Sequence, residues 1–268
     1  MGELVFVGLG LFDENDVSLR GLKEVETADY VFAEFYTSLM AGLILERLVE
    51  KIGKKVVVVS RKMLEEENGE LILRKAADSK VAFLVSGDPL IATTHVDLRV
   101  RAEKRAIKTR VVHGASIVSA AMGGSGLQNY RFGRSVTVPF PEGGLVSETP
   151  YNVVAENKTR DLHTLCFLDV KAEKKLFMTV REALEILLST EKKKQKHVIT
   201  LDSFAIGLAR VGAEDEVVKA DRIKALLGFD FGGPPHILVL PADRLHFMEA
   251  EALVKLAGAP EQVNEMVG

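Results

Sequence analysis

Val81-Ala-Phe-Leu-Val85 is a short, continuous apolar run that stops at Ser86-Gly87-Asp88-Pro89, and a new amphipathic pattern begins near Thr93. A run of that length between turn residues predicts a strand buried on both faces, as in a parallel sheet. Gly87 admits backbone conformations closed to other residues, Pro89 fixes φ, and Asp88 sets a carboxylate beside exposed amides. Ligands of open α/β sheets bind outside the carboxyl ends of the strands, so this turn stands where a site belongs. Taken alone, a Gly-Asp-Pro turn is more often an ordinary strand-to-helix connection.

The neighbouring segments repeat the alternation. Residues 3–7 read as a strand running into Gly8-Leu9-Gly10-Leu11, and Asp13 to Asp16 supply caps for a helix over 19–27. A strand at 30–34 and a helix at 43–52, closed by Gly53, come next. The β-branched run 56–59 predicts a buried strand, and 66–75 has leucines at helical spacing. A helix over 94–106 and a strand over 110–113 complete an α/β unit with right-handed crossovers. The small-residue segment that follows ends in Gly123-Gly-Ser-Gly126, which predicts a hinge in place of helix. Beyond it the texture changes. Strands at 135–138, 164–170, 203–211, 217–220 and 236–240 are interleaved with helices at 151–158, 180–188, 221–227 and 245–256. Several of these strands are expected to be antiparallel neighbours. The predicted organisation is an α/β parallel-sheet domain over residues 1–112 and an α+β mixed-sheet domain over residues 113–268.

Composition narrows the classes. The 268 residues are 47% hydrophobic and 27% charged, as in a globular chain with ample core. A net charge of −3 offers no basic field for nucleic acid or an anionic membrane. No run approaches the roughly 18 apolar residues of a membrane span. The start shows no secretory pattern, so a cytoplasmic protein is expected. The single cysteine, Cys166, lies in an apolar run and reads as a buried small residue. The run 191–196, rich in lysine, reads as a solvated turn.

Several chemistries lack their residues. Gly8-Leu-Gly-Leu-Phe-Asp13 has no third glycine and carries an acid where a pyrophosphate would lie, which disfavours a dinucleotide site. There is no GxxxxGK[ST], no HExxH and no Gly-x-Ser-x-Gly, and the six histidines are scattered, so no metal site is expected. What remains is a set of glycine- or proline-broken turns at strand ends, suited to a reaction that needs positioning more than a catalytic triad.

The segments Gly8 to Val17, Phe32-Ala-Glu-Phe-Tyr-Thr-Ser-Leu-Met-Ala-Gly42, Gly87 to His95, His113-Gly-Ala-Ser-Ile117, Leu168-Asp-Val-Lys-Ala-Glu-Lys174, Ala209-Arg-Val-Gly212 and Pro234-Pro-His-Ile-Leu-Val239 together resemble the diphthine synthase family. These are tetrapyrrole-methylase-like (class III) S-adenosylmethionine-dependent methyltransferases. The resemblance spans nearly the whole chain. The early glycine turn and the Gly-Asp-Pro turn belong to the wider superfamily, while AEFYTSLMAG, GDPLIATTH and DVKAEK are much narrower.

The resemblance implies a homodimer of two-domain protomers with S-adenosylmethionine in the cleft between the domains, released as S-adenosylhomocysteine. It implies a protein substrate, elongation factor 2, methylated on the amino group of a 3-amino-3-carboxypropyl-histidine in diphthamide biosynthesis, with no nucleic-acid or membrane partner. Carried onto this chain, the cofactor contacts are Leu11, Asp88, Ile91, Ser116, Ile117, Leu168, Ala209 and His236. Asp88 and Ser116 serve equally as local caps, and His236 as a structural histidine. Glu34, Tyr36, Asp169, Lys171 and Glu173 are candidates for orienting the substrate, and the residues single out no general base. Alternatives are a class III methyltransferase acting on a tetrapyrrole or corrinoid precursor or on ribosomal RNA, a non-catalytic nucleotide-binding protein, and, more distantly, a hydrolase.

Overall fold

The computed structural model describes residues 2–268. Two compact units emerge, one running to Ile117 and taking in Ala172–Lys175, the other comprising Val118–Lys171 and Leu176–Gly268.

The first unit is a parallel sheet. Strands β1 (Glu3–Gly8), β2 (Tyr30–Glu34), β3 (Val56–Val58), β4 (Lys80–Val85) and β5 (Lys108–Val112) lie in the order β3-β2-β4-β1-β5. Helices α1 (Leu19–Glu26), α2 (Leu45–Ile52), α3 (Glu70–Asp78) and α4 (His95–Lys104) make the crossovers. The period of two along each strand divides its side chains between the two faces. Leu4, Phe6, Val81 and Phe83 pack with Ile72, Leu73 and Leu98. Val5, Val7, Ala82 and Leu84 pack with Val25 and Leu48. Each such side chain, fully buried, contributes roughly 1.5–3 kcal/mol. The apolar run 81–85 is therefore continuous because both faces are covered, as read from the sequence.

Strand order locates the site. From β1 the chain crosses to β2, on the far side of β4; from β4 it crosses to β5, on the far side of β1. The direction of winding reverses between β1 and β4, and the crevice outside their carboxyl ends is the binding position of such sheets.

β3 is an edge strand whose Val57 and Val58 are exposed, because β-branched runs report extended backbone and not burial. The helix expected over 66–75 is instead a π-turn (Lys62–Glu66) followed by α3, the break falling at Gly69 with φ of 65°. The predicted hinge is helix: α5 (Ile117–Ser125) carries Gly123 and Gly124 in its last turn, and Gly126, at φ 76°, closes it. A β-carbon on Gly126 would lie 2.5 Å from Ala252 Cβ, so the glycine both ends the helix and admits a close neighbour.

The second unit holds β6 (Val136–Val138), α6 (Thr149–Thr159), β7 (Thr164–Leu168), a short pair β8 (Val170–Lys171) and β9 (Leu176–Phe177), and α7 (Val180–Lys194). It continues with β10 (Phe204–Ala209), β11 (Val217–Arg222), α8 (Ile223–Leu226), β12 (His236–Leu240) and α9 (Phe247–Ala257). Its sheet has the order β11-β10-β12-β7-β6 and is mixed, with β6 and β7 parallel and the other neighbours antiparallel. Residues 221–222, expected in a helix, finish β11. Among the described residues no helix is long and apolar enough to cross a membrane.

The lysine run is not a turn. α7 opens on a capping box between Thr179 and Glu182 and continues to Lys194, its last turn placing three lysines where the helix dipole favours cations. Glu191 accepts hydrogen bonds from the Tyr151 hydroxyl (2.7 Å) and from the backbone N–H groups of His197 (2.7 Å), Val198 (2.8 Å) and Ile199 (3.0 Å). Burial pushes its pKa up, but these donors outweigh that and hold the carboxyl at about 2. Glu191→Ala, which orphans the donors, is expected to cost about 2–3 kcal/mol in urea unfolding.

Cys166 is fully buried on β7, and burial pushes its thiol up to about 12. The native protein should leave a thiol-specific disulfide reagent unreacted at pH 8 and consume one equivalent only after unfolding.

Candidate active site

Three strand ends meet where the winding reverses. Gly8 ends β1, Gly87 follows β4 and Gly114 follows β5. A β-carbon on Gly8 would lie 2.5 Å from both Gly87 O and Gly114 N, and one on Gly114 would lie 2.4 Å from Gly87 O. Only glycine lets the three backbones approach so closely. Gly87 N–H donates to Gly10 O (2.7 Å) and Gly10 N–H to Gly87 O (3.3 Å), tying the turn after β1 to the turn after β4. Asp16 Oδ2 then accepts from the N–H groups of Leu11 (3.0 Å) and Phe12 (2.6 Å), folding the loop after Gly10 back on itself. Ser86, at the end of β4, is buried, and its Oγ has no hydrogen-bond partner among the described residues. Buried hydroxyls are normally satisfied, and this one is free to hydrogen-bond with a group entering the crevice.

Asp88 is also buried and does two things. Its Oδ1 accepts from Leu90 N–H (3.0 Å), closing the turn locally, and its Oδ2 lies 2.7 Å from Nδ1 of His113. The bond to Leu90 stops short of α4, so Asp88 shapes the loop and does not cap the helix. A carboxylate only accepts, so Nδ1 of His113 carries the proton in this contact. The His113 side chain is 72% exposed, unlike its partner. Ile91 is exposed on the same loop.

A second group sits at the carboxyl end of β2. Glu34 is fully buried and accepts from the N–H groups of Tyr36 (3.0 Å) and Thr37 (3.1 Å) and from the Thr37 hydroxyl (2.5 Å). His95, at the start of α4, donates from Nδ1 to Pro89 O (3.1 Å) and places Nε2 3.5 Å from Glu34 Oε1. Burial lowers the His95 pKa against the pull of Glu34. Burial, with Glu34 and Glu65, pushes the Tyr36 hydroxyl up to about 12. The motifs 32–42 and 87–95 therefore meet through side chains as well as through the sheet.

The eight residues carried over from the resemblance fall into two sets. Leu11, Asp88, Ser116, Ile117 and Ile91 belong to the first unit, on or just beyond the turns that follow β1, β4 and β5. Leu168, Ala209 and His236 belong to the second and share one end of its sheet. Leu168 closes β7, Ala209 closes β10, and His236 stands opposite Ala209 at the start of β12. Leu168 and Ala209 are buried in that unit's core, so they have backbone, not side chain, to offer. Both ring nitrogens of His236 are engaged: Nδ1 accepts from Val180 N–H (3.3 Å), and Nε2 donates to Gly233 O (3.1 Å) and Gly232 O (3.2 Å). Burial lowers its pKa, in keeping with a neutral, structural ring.

Of the other candidates, Asp169 is committed to Phe140 N–H (2.9 Å), Lys171 lies over the Phe140 ring, and Glu173 is exposed. Sequence reasoning missed Ser86 and His113 as site residues, although both lie inside motifs already singled out. Their signal was adjacency to the strand-end glycines.

Residues 3–227 match the family model of the tetrapyrrole (corrin/porphyrin) methylases. A parallel-sheet unit and a mixed-sheet unit thus make up the fold of a methyltransferase of that class. The chain is 52% identical to a diphthine synthase of Methanococcoides burtonii over 98% of its own length and 99% of the relative's. It is 50% identical to a diphthine synthase of Methanocella arvoryzae over 95% and 98% of the two chains. A crystal structure of a diphthine synthase matches it with a TM-score of 0.90 at 43% identity, covering 99% of this chain and all of that one. The chain belongs to the diphthine synthase family.

Proposed function

We propose that this chain moves methyl groups from S-adenosylmethionine, successively, to the amino group of the 3-amino-3-carboxypropyl-histidine of elongation factor 2, forming diphthine. The observation that carries the reading is the 52% identity to a diphthine synthase across nearly the full length of both chains. The reading includes a homodimer working in the cytoplasm.

The first unit's residues fit the cofactor. The unpartnered hydroxyl of Ser86 and the close approach of the backbones at Gly8, Gly87 and Gly114 give a polar, backbone-lined cradle. Leu11, Ile91 and Ile117 supply apolar surface beside it. Asp88 uses one lone pair of each oxygen for Leu90 and His113, and keeps capacity to accept from a ribose or an amino group. Bound there, S-adenosylmethionine supplies an electrophilic methyl on a sulfonium.

The protein's part is to hold the acceptor in line and uncharged. An alkyl amine has an ordinary pKa of about 10 and attacks only when neutral. An apolar surround lowers that value by disfavouring the ammonium. The buried Glu34, His95 and Tyr36 hold the loop 89–94 that borders the cradle, and so serve positioning. The net charge of −3 argues against ribosomal RNA as acceptor.

The test offers methyl-labelled S-adenosylmethionine with four acceptors: elongation factor 2 carrying the unmethylated aminocarboxypropyl-histidine, the same factor without that group, a corrinoid precursor, and ribosomal RNA. Label on the first alone is the expected result. Label on the tetrapyrrole or the RNA, with none on the factor, overturns the reading.

A further inference from the structure

We infer that His113, oriented by Asp88, is the general base that takes the proton from the substrate's ammonium group. This rests on the amine-methylating reading above. Each methyl transfer to an alkyl ammonium releases one proton. Whichever group receives it must reach the nitrogen, hold a lone pair free to accept the proton and pass it on to solvent.

Among the described residues at the carboxyl ends of β1, β4 and β5, His113 combines these properties. It directly precedes Gly114, one of the three cradle glycines, and so stands at the reversal of winding where the ligand is expected. Its Nδ1–H donates to the buried Oδ2 of Asp88 at 2.7 Å, which fixes the tautomer with Nε2 as the acceptor nitrogen. The carboxylate also stabilises the imidazolium once formed, the arrangement by which a buried acid orients a catalytic histidine. With 72% of its side chain exposed in this structure, the ring can meet an incoming protein side chain and return its proton to water. The other histidine of the unit, His95, is buried with Nδ1 committed to Pro89 O, and has neither access nor exit.

The step balances. The ammonium N–H proton moves to His113 Nε2 and leaves its bonding pair on nitrogen. That pair forms the new N–C bond to the transferred methyl, and the C–S pair departs with sulfur. The imidazolium then gives its proton to solvent before the next round.

Two readouts test the assignment. In the wild-type protein without cofactor, ¹⁵N imidazole NMR should show His113 protonated at Nδ1 and bare at Nε2. In Asp88→Asn the amide should donate to Nδ1 and reverse the tautomer. In the transfer assay, His113→Ala should lose about 10²–10⁴-fold in kcat, bind S-adenosylmethionine within threefold of wild type, and regain rate when imidazole is added. A packing role alone would not give that rescue. A His113→Ala kcat within threefold of wild type, or a wild-type ring protonated at Nε2, overturns the assignment while the substrate reading stands. A wild-type enzyme that never labels the factor overturns both.

Discussion

Glu249→Ala should remove about 3–5 kcal/mol of stability, the range for breaking a buried charge network by deleting one partner. Glu249 is fully buried in the first turn of α9. Its Oε1 accepts from Gln128 N–H (2.9 Å) and His163 Nε2 (3.0 Å), and its Oε2 from Arg131 Nη1 (2.5 Å) and His246 N–H (2.9 Å). His163, also fully buried, accepts Ala242 N–H at Nδ1 (2.9 Å), so its ring is neutral and Arg131 is the counter-charge. The substitution leaves Arg131 Nη1, His163 Nε2 and two backbone donors without their acceptor, while Arg131 Nη2 keeps Asp161 Oδ2 at 2.9 Å. Urea unfolding at pH 7 measures the loss, and a change under 1 kcal/mol would contradict the network's role.

The same network sets an acid limit. Burial pushes the Glu249 pKa up, but the hydrogen bonds from His163, His246 and Gln128 prevail and bring it from 4.5 to about 2. A depressed carboxyl stabilises the fold fully above its unfolded value and less as pH falls through the folded one. The wild-type advantage over Glu249→Ala should therefore narrow between pH 4.5 and 2. Glu191, also held at about 2, adds to the acid sensitivity over the same window.

Gly114→Ala should have the second large effect. Its new methyl would lie 2.4 Å from Gly87 O and 2.9 Å from Gly8 Cα, backbone atoms that yield only if the strand ends part. Overpacking of this kind costs about 1–3 kcal/mol. Displacing the cradle by a fraction of an ångström should lower methyl transfer by about 10²-fold. Gly123→Ala is the control: it lies inside α5 with no neighbour within 4 Å of a β-carbon, and should raise stability by about 0.5–1 kcal/mol. Calorimetric titration of S-adenosylmethionine separates the two, with weakened binding expected for Gly114→Ala alone.

The first unit was legible because its signals are local. A strand covered on both faces reads as an apolar run, as at 81–85, and its end is announced by Gly87 and Pro89. Burial of β3 was misread because an edge strand and a central one share the same β-branched alphabet. The hinge at 123–126 was misread because propensity penalises glycine in helices, whereas a single last turn tolerates Gly123 and Gly124 and Gly126, not the pair, closes it. The lysine run hid Glu191, whose partners lie up to 40 residues away in sequence. The same distance effect concealed the Asp88–His113 pair: each residue lay in a recognised motif, but 25 positions separate them, and only strand order brings β4 and β5 onto opposite flanks of β1.

The most direct measurement is mass spectrometry of elongation factor 2 after incubation with this protein and S-adenosylmethionine. The peptide bearing the aminocarboxypropyl-histidine should gain whole methyl increments on the side-chain amine, and Asp88→Arg should abolish them. An unchanged peptide mass, with S-adenosylmethionine binding intact by calorimetry, would contradict the assignment.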